Sequence, residues 1–159
     1  MDAIYPYAVF LHNLLRWLVL IFLGIALLRA VPGWLGGRSW RPGDDAAGKR
    51  LTMAVDLQLL LGLLLAAVSP TVRVAIQDMG AAMKDGSLRY WSVEHTAIML
   101  LAVVLVHIGR ARSRKPADDA VKHRRAAVFY GLALLAILAA MPWQWLAVNG
   151  RPLLPELPF

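Results

Sequence analysis

The side chains able to do chemistry are few in this sequence, and most of them interrupt long apolar stretches. They are the four histidines and three charged residues: His12, Arg16, Asp56, Glu94, His95, His107 and His123. Ionisable groups are costly inside a bilayer, so each is a functional hypothesis. An imidazole is a ligand for metals and for haem iron.

Other kinds of chemistry are excluded or left without a motif. The chain has no cysteine, which excludes thiolate ligands, a cysteine nucleophile and a haem attached through thioethers. The sequence also lacks the GxSxG, HExxH and P-loop patterns of hydrolases, zinc proteases and nucleotide-binding enzymes. No catalytic residue is therefore assigned, and whether the chain is an enzyme stays open.

The apolar stretches predict the elements that position these residues. Hydrophobic residues make up 59% of the 159 residues and charged residues 17%, against 45–50% and about 25% in soluble domains. Four stretches, at about 8–31, 51–72, 91–110 and 126–148, have the length that crosses a bilayer core. They lack the polar stripe of a soluble helix. We therefore predict an all-α fold, an integral membrane four-helix bundle forming a single transmembrane domain over residues 1–159.

The basic residues predict how the bundle is oriented. Twelve lysines and arginines lie in or beside the first and third connections, against four in the second connection and the tail. Because positive residues favour the cytoplasmic side, both termini are expected on the outer, periplasmic side. The net charge of +7 is then explained by topology and by contact with lipid headgroups. Nucleic acid is not expected as a partner, since the charge is divided between two short loops without a recognition motif.

Depth in the membrane pairs two of the histidines. The first and third predicted helices run in the same direction, and His12 and His95 each lie about one turn below the outer end. Two imidazoles at one depth on different helices are what a bis-histidine haem requires. We therefore predict His12 and His95 as axial ligands of a haem b. A zinc ion would need further ligands, and Glu94 points about 100° away from His95.

The other polar residues leave alternatives open. His107 lies roughly 18 Å deeper than His95 along the same helix, near the depth of Asp56. A second, inner haem between His107 and His123 is one interpretation, and a plain His107–Asp56 hydrogen bond is the other. Arg16 lies one turn after His12 on the same helix face. It is expected to pair with Glu94, a haem propionate or a quinone oxygen.

The stretches LHNLLRW, DLQLLLG, WSVEH and HIGRAR resemble small bacterial membrane cytochromes b of the b561-like type. Members of that family are four-helix bundles with one or two b haems, and one helix commonly carries two histidines about three turns apart. His95 and His107 match that pattern, whereas the second helix lacks a histidine. The resemblance implies haem b, electron transfer with a quinone or a redox partner protein, and a place in the bacterial cytoplasmic membrane. It implies haem-ligand roles for His12, His95 and His107, and we add Arg16 and His123 as candidate cofactor-binding residues from their positions.

Two other kinds of function stay open at this point. One is a non-redox structural or assembly subunit of a larger membrane complex, in which the histidines only form hydrogen bonds. The other is a small transporter or proton channel that uses His12, Arg16, Asp56 and Glu94. Against the transporter, no proline or glycine pair interrupts a predicted helix in the middle of the membrane.

Overall fold

A computed structural model describes residues 4–146 and 149–152. The described part is helical and contains no strand. Its α-helices are α1 (Tyr5–Leu35), α2 (Pro42–Val68), α3 (Pro70–Gln77), α4 (Met79–Ala82), α5 (Gly86–Arg89), α6 (His95–Ser113) and α7 (Asp119–Ala140). A π-helical turn, Tyr90–Glu94, joins α5 to α6.

In the described part of the chain, four helical segments are long and apolar enough to cross a membrane, as predicted. They are α1, α2, α7 and the continuous segment Gly86–Ser113, which contains α5, the π-helical turn and α6. Lengths of 22 to 31 residues exceed the roughly 20 that a bilayer core requires. These helices indicate a multi-pass membrane protein.

Helix α2 begins earlier than the predicted 51–72 and also ends earlier. Pro42 occupies its first turn, and Asp44 Oδ2 accepts a hydrogen bond from the Arg41 backbone N–H at 2.8 Å. These are signals for a helix start, so the polar residues before Leu51 are helical too. The helix ends at Val68, because Ser69 caps the next helix by accepting from the Val72 N–H at 3.4 Å.

The fourth span, predicted at 126–148, is wrong at both ends. Helix α7 starts at Asp119, so its first turns contain polar residues that hydropathy alone assigned to the loop. It stops at Ala140, since Met141 is extended (ψ 132°). A residue that precedes a proline disfavours the helical conformation, and Pro142 follows. Residues 147–148 lie outside the described part.

The four long segments close into a ring in the order α1, α2, α6, α7. Small side chains dominate the interior, which lets the helix backbones approach each other. A Cβ at Gly109 of α6 would lie 2.8 Å from the ring of Tyr130 of α7, so these two helices are in close contact. Helices α2 and α6 make the sparsest contacts of the ring, and we call the line between them the α2–α6 seam.

The end of the bundle that carries the α1–α2 and α6–α7 connections, here called the basic end, is closed by ion pairs. Asp44 Oδ1 accepts from Arg29 Nε and from Arg38 Nη2, both at 2.9 Å. Asp45 pairs with Arg110 at 3.3 Å and Arg114 at 3.6 Å, which ties the start of α2 to the end of α6.

Candidate functional site

A cavity of about 190 Å³ lies between α1, α2 and α6 at the end of the bundle opposite the basic end, here called the cavity end. A water molecule takes about 30 Å³, so a larger molecule can enter. Leu63 and Leu100 line this cavity, yet these residues are 51% and 42% exposed. The cavity therefore opens sideways at the α2–α6 seam. Its polar or charged lining includes His12, Arg16, Gln58, His95 and Arg151.

His95 is held by the end of α7. Its Nδ1 lies 2.9 Å from the carbonyl oxygen of Ala140, the last residue of that helix, where helical carbonyls lack intrahelical donors. The Tyr90 hydroxyl donates to the same oxygen at 2.8 Å. Because a carbonyl only accepts, Nδ1 carries the hydrogen and Nε2 of the neutral ring carries the lone pair. Metal-binding histidines commonly have this arrangement.

His12 is held by Gln58 of α2. The Gln58 Nε2 donates to the His12 carbonyl oxygen at 3.1 Å and lies 3.2 Å from His12 Nε2. The amide nitrogen is a donor, so His12 Nε2 accepts and Nδ1 carries the hydrogen. Within residues 4–146 and 149–152, His12 Nδ1 is buried and has no hydrogen-bond partner. The ring packs beside Gly62, where a Cβ would lie 3.3 Å from His12 Cε1.

The structure brings His12, His95 and Arg16 together on one cavity, as the predicted helix depths require. Arg16 is buried, with 8% of the residue exposed, and its guanidinium carbon lies 5.6 Å from the Trp17 ring centroid. The lining in the described part of the chain contains no aspartate or glutamate.

Glu94, one of the three partners expected for Arg16, pairs with a different arginine. Glu94 Oε1 accepts instead from Arg89 Nε at 2.6 Å. The reason is the π-helical turn, in which the His95 N–H bonds the Tyr90 carbonyl five residues back. This widened turn places residues five apart next to each other, a spacing that an ideal α-helix does not bring together. Turns of this type are frequent at functional sites.

Two residues at the cavity mouth were not predicted as a pair. The Arg151 guanidinium carbon lies 4.8 Å from the centroid of the Trp91 ring, and both residues line the cavity. The Arg151 backbone N–H donates to the Pro142 carbonyl oxygen at 3.2 Å. No sequence spacing links Trp91 to Arg151, since the contact depends on the chain turning back after α7. The rest of the tail, 153–159, lies outside the described part.

The other two histidines do not line this cavity and have different contacts from each other. His107 Nε2 donates to Asp56 Oδ1 at 2.8 Å, which confirms the hydrogen-bond interpretation left open above. His123, one of the two residues suggested for the second haem, is fully buried. It packs on Gly33 and on the Trp40 ring, whose centroid is 4.8 Å away. A second haem between these two histidines stays a prediction, without a shared cavity to support it.

A conventional metal centre is not formed by the described residues, since no three of their histidine, aspartate and glutamate side chains are grouped to hold an ion. Two imidazoles therefore remain as the candidate ligands. Comparisons with protein-family models, curated proteins and solved structures find no match.

Proposed function

We propose that this protein is a multi-pass membrane protein that binds one haem b in the cavity, with His12 and His95 as axial ligands, and transfers electrons. The observation that carries the proposal is the placement of two imidazoles from different helices on one largely apolar cavity. One of them, His95, is oriented by the Ala140 carbonyl so that Nε2 keeps its lone pair.

The residues present fit a haem. Apolar walls suit the macrocycle, and Arg16 and Arg151 suit its carboxylates, which favour arginine partners. His12 has a buried nitrogen without a partner, and its other nitrogen is occupied by Gln58. Ligation through Nε2 therefore requires the Gln58 amide to withdraw.

The haem iron supplies a one-electron couple when bound. The chain's own residues would bind it, orient it and adjust its potential. Tyr90 shares the Ala140 carbonyl with His95, so it belongs to the group that sets the orientation of that ring. A membrane quinone or a redox protein is the proposed electron partner.

The orientation is part of the proposal. The excess of basic residues in the first and third connections supports a cytoplasmic basic end, with both termini and the cavity end on the outer face of a bacterial inner membrane. Chemical labelling of two single-cysteine variants, Ser39→Cys and Ser87→Cys, tests this orientation, because the natural chain has no cysteine. A membrane-impermeant reagent on intact cells should label Ser87→Cys and not Ser39→Cys.

The test of the haem is a spectrum of the purified protein in detergent, recorded oxidised and then reduced with dithionite. We expect a red protein with a sharp reduced α band and one haem per chain. Two haems per chain would instead support the predicted second site at His107 and His123. A protein that stays colourless after haem is supplied during expression would contradict the proposal and favour a structural subunit of a membrane complex.

A further inference from the structure

His107 and Asp56 form their hydrogen bond on the outer surface of the bundle. Their side chains are 48% and 47% exposed, and the bond crosses the α2–α6 seam. The surface around the pair is apolar, with residues of α2 and α6 that are each more than half exposed: Met53, Leu57, Leu60, Leu101 and Val104.

The depth of this pair makes its exposure costly. Asp56 lies six residues beyond Arg50, about 9 Å along the helix axis, and an unbroken apolar run follows Gln58 up to Val68. Ionisable side chains inside transmembrane segments almost always face the bundle interior or a watery cavity. This pair faces away from the interior of its own bundle, and a second protein surface that covers it would remove that cost.

We propose that a second copy of this chain packs on the α2–α6 seam, related by a two-fold axis along the membrane normal. Such a rotation keeps depth unchanged and places α2 of one copy opposite α6 of the other. Asp56 and His107 share one depth because they are hydrogen-bonded to each other. Each Asp56 carboxylate therefore faces the His107 imidazole of the second copy across the interface.

The same packing completes the cavity. Leu63 and Leu100 line the cavity and form its open flank at the seam. A second copy on the seam covers this flank and supplies the missing wall. The inference does not depend on which molecule the cavity binds.

Crosslinking in native membranes tests the interface, and the absence of cysteine gives a clean background. Copies carrying Leu60→Cys are co-expressed with differently tagged copies carrying Val104→Cys and are then oxidised. The matched control replaces Leu60→Cys with Leu135→Cys on α7. Leu60 and Leu135 are 65% and 64% exposed, and each lies ten residues, about 15 Å, beyond an arginine at the basic end.

We expect a disulfide-linked dimer from the seam pair and none from the control pair. Equal crosslinking of both pairs, or none from the seam pair, would overturn the proposal, as would crosslinking of Leu60→Cys to a different protein. A second measurement is the dimer fraction in mild detergent. Asp56→Asn should reduce it, and the exchange Asp56→His with His107→Asp should restore it. A dimer fraction unmoved by Asp56→Asn would contradict the pairing of Asp56 with His107 of the second copy.

Discussion

At the basic end of the bundle the buried carboxylate of Asp44 is surrounded by donors, whereas at the cavity end the buried polar side chains face a cavity. The Asp44 side chain is 2% exposed and accepts hydrogen bonds from Arg29, Arg38 and the Arg41 backbone. These bonds tie the last turns of α1 and the α1–α2 connection to the start of α2. The basic end therefore uses its charges to fix loops.

The cavity end holds donors and acceptors that the described residues do not fully use. His12 Nδ1 and Gln58 Oε1 are buried without a partner among residues 4–146 and 149–152. A buried polar group without a partner costs about 1–3 kcal/mol, so such groups need an explanation. The comparison teaches that satisfied charge marks structure in this protein, and that unused hydrogen-bonding capacity beside a cavity marks the candidate site.

The largest expected effect is on haem binding, which should depend on His95 of the cavity and not on His107. His95→Ala should abolish haem binding, because it removes one axial ligand, whereas His107→Gln should leave the haem content unchanged. Haem per chain, measured from the reduced pyridine complex of purified protein, checks both variants. Loss of haem in His107→Gln with retention in His95→Ala would mean that the haem site does not lie at the cavity end.

The next effect concerns the ion pairs of the basic end. Asp44→Ala leaves Arg29 and Arg38 without their shared carboxylate and removes the Arg41 cap, so the free energy of unfolding should fall by about 2 kcal/mol. The melting temperature in detergent should drop by roughly 4–8 °C. Asp118→Ala is the control, since Asp118 is exposed and makes no side-chain cap bond. Equal melting temperatures for the two variants would show that the buried carboxylate does not stabilise this end.

His123 is the exception at the basic end, because neither ring nitrogen has a hydrogen-bond partner in the described chain. A Cβ at Gly33 would clash with its ring, so Gly33→Ala should destabilise the protein by about 1–3 kcal/mol. Adding His123→Ala should recover part of that loss. Gly131→Ala, which has open space around its Cβ, serves as control in the same thermal unfolding assay. No recovery in the double variant would argue that His123 does more than fill space.

The smallest expected effect is on haem affinity, and it concerns His12 Nε2, which accepts a hydrogen bond from Gln58. Gln58→Leu removes the hydrogen bond that competes for Nε2, and such a bond contributes about 0.5–1.5 kcal/mol. Haem affinity should therefore rise by roughly two- to tenfold. Titration of haem into the apo-protein in detergent measures this change. A fall in affinity would mean that Gln58 positions His12 for ligation instead of competing with it.

Much of the fold could be predicted because hydropathy is a local property of the chain. All four apolar stretches became membrane-length helical segments. The ends were less predictable, since the cap at Asp44 and the extended Met141 before Pro142 act through local geometry that hydropathy does not record. The π-helical turn was missed for the same reason, and with it the Arg89–Glu94 pair.

The candidate site was predictable in part. Helix depth brought His12 and His95 to one level, and the structure places both on one cavity. Gln58 had a signal, being a polar residue in an apolar run, but its partner could not be read from spacing. The Ala140 carbonyl had no signal in the sequence, because every residue has a backbone carbonyl. Only folding decides which carbonyl lies beside His95.

The sequence by itself determined the number of apolar segments and the depth of each ionisable residue. Both follow from a fixed rise per residue and from the cost of burying charge. Tertiary structure alone decided which faces meet: His107 on the outer surface, His123 beneath Trp40, and the cavity at the α2–α6 seam. The physical reason is that helices apolar on nearly every side carry no stripe to fix their rotation. Their packing is set by small residues, hydrogen bonds and caps contributed by other helices.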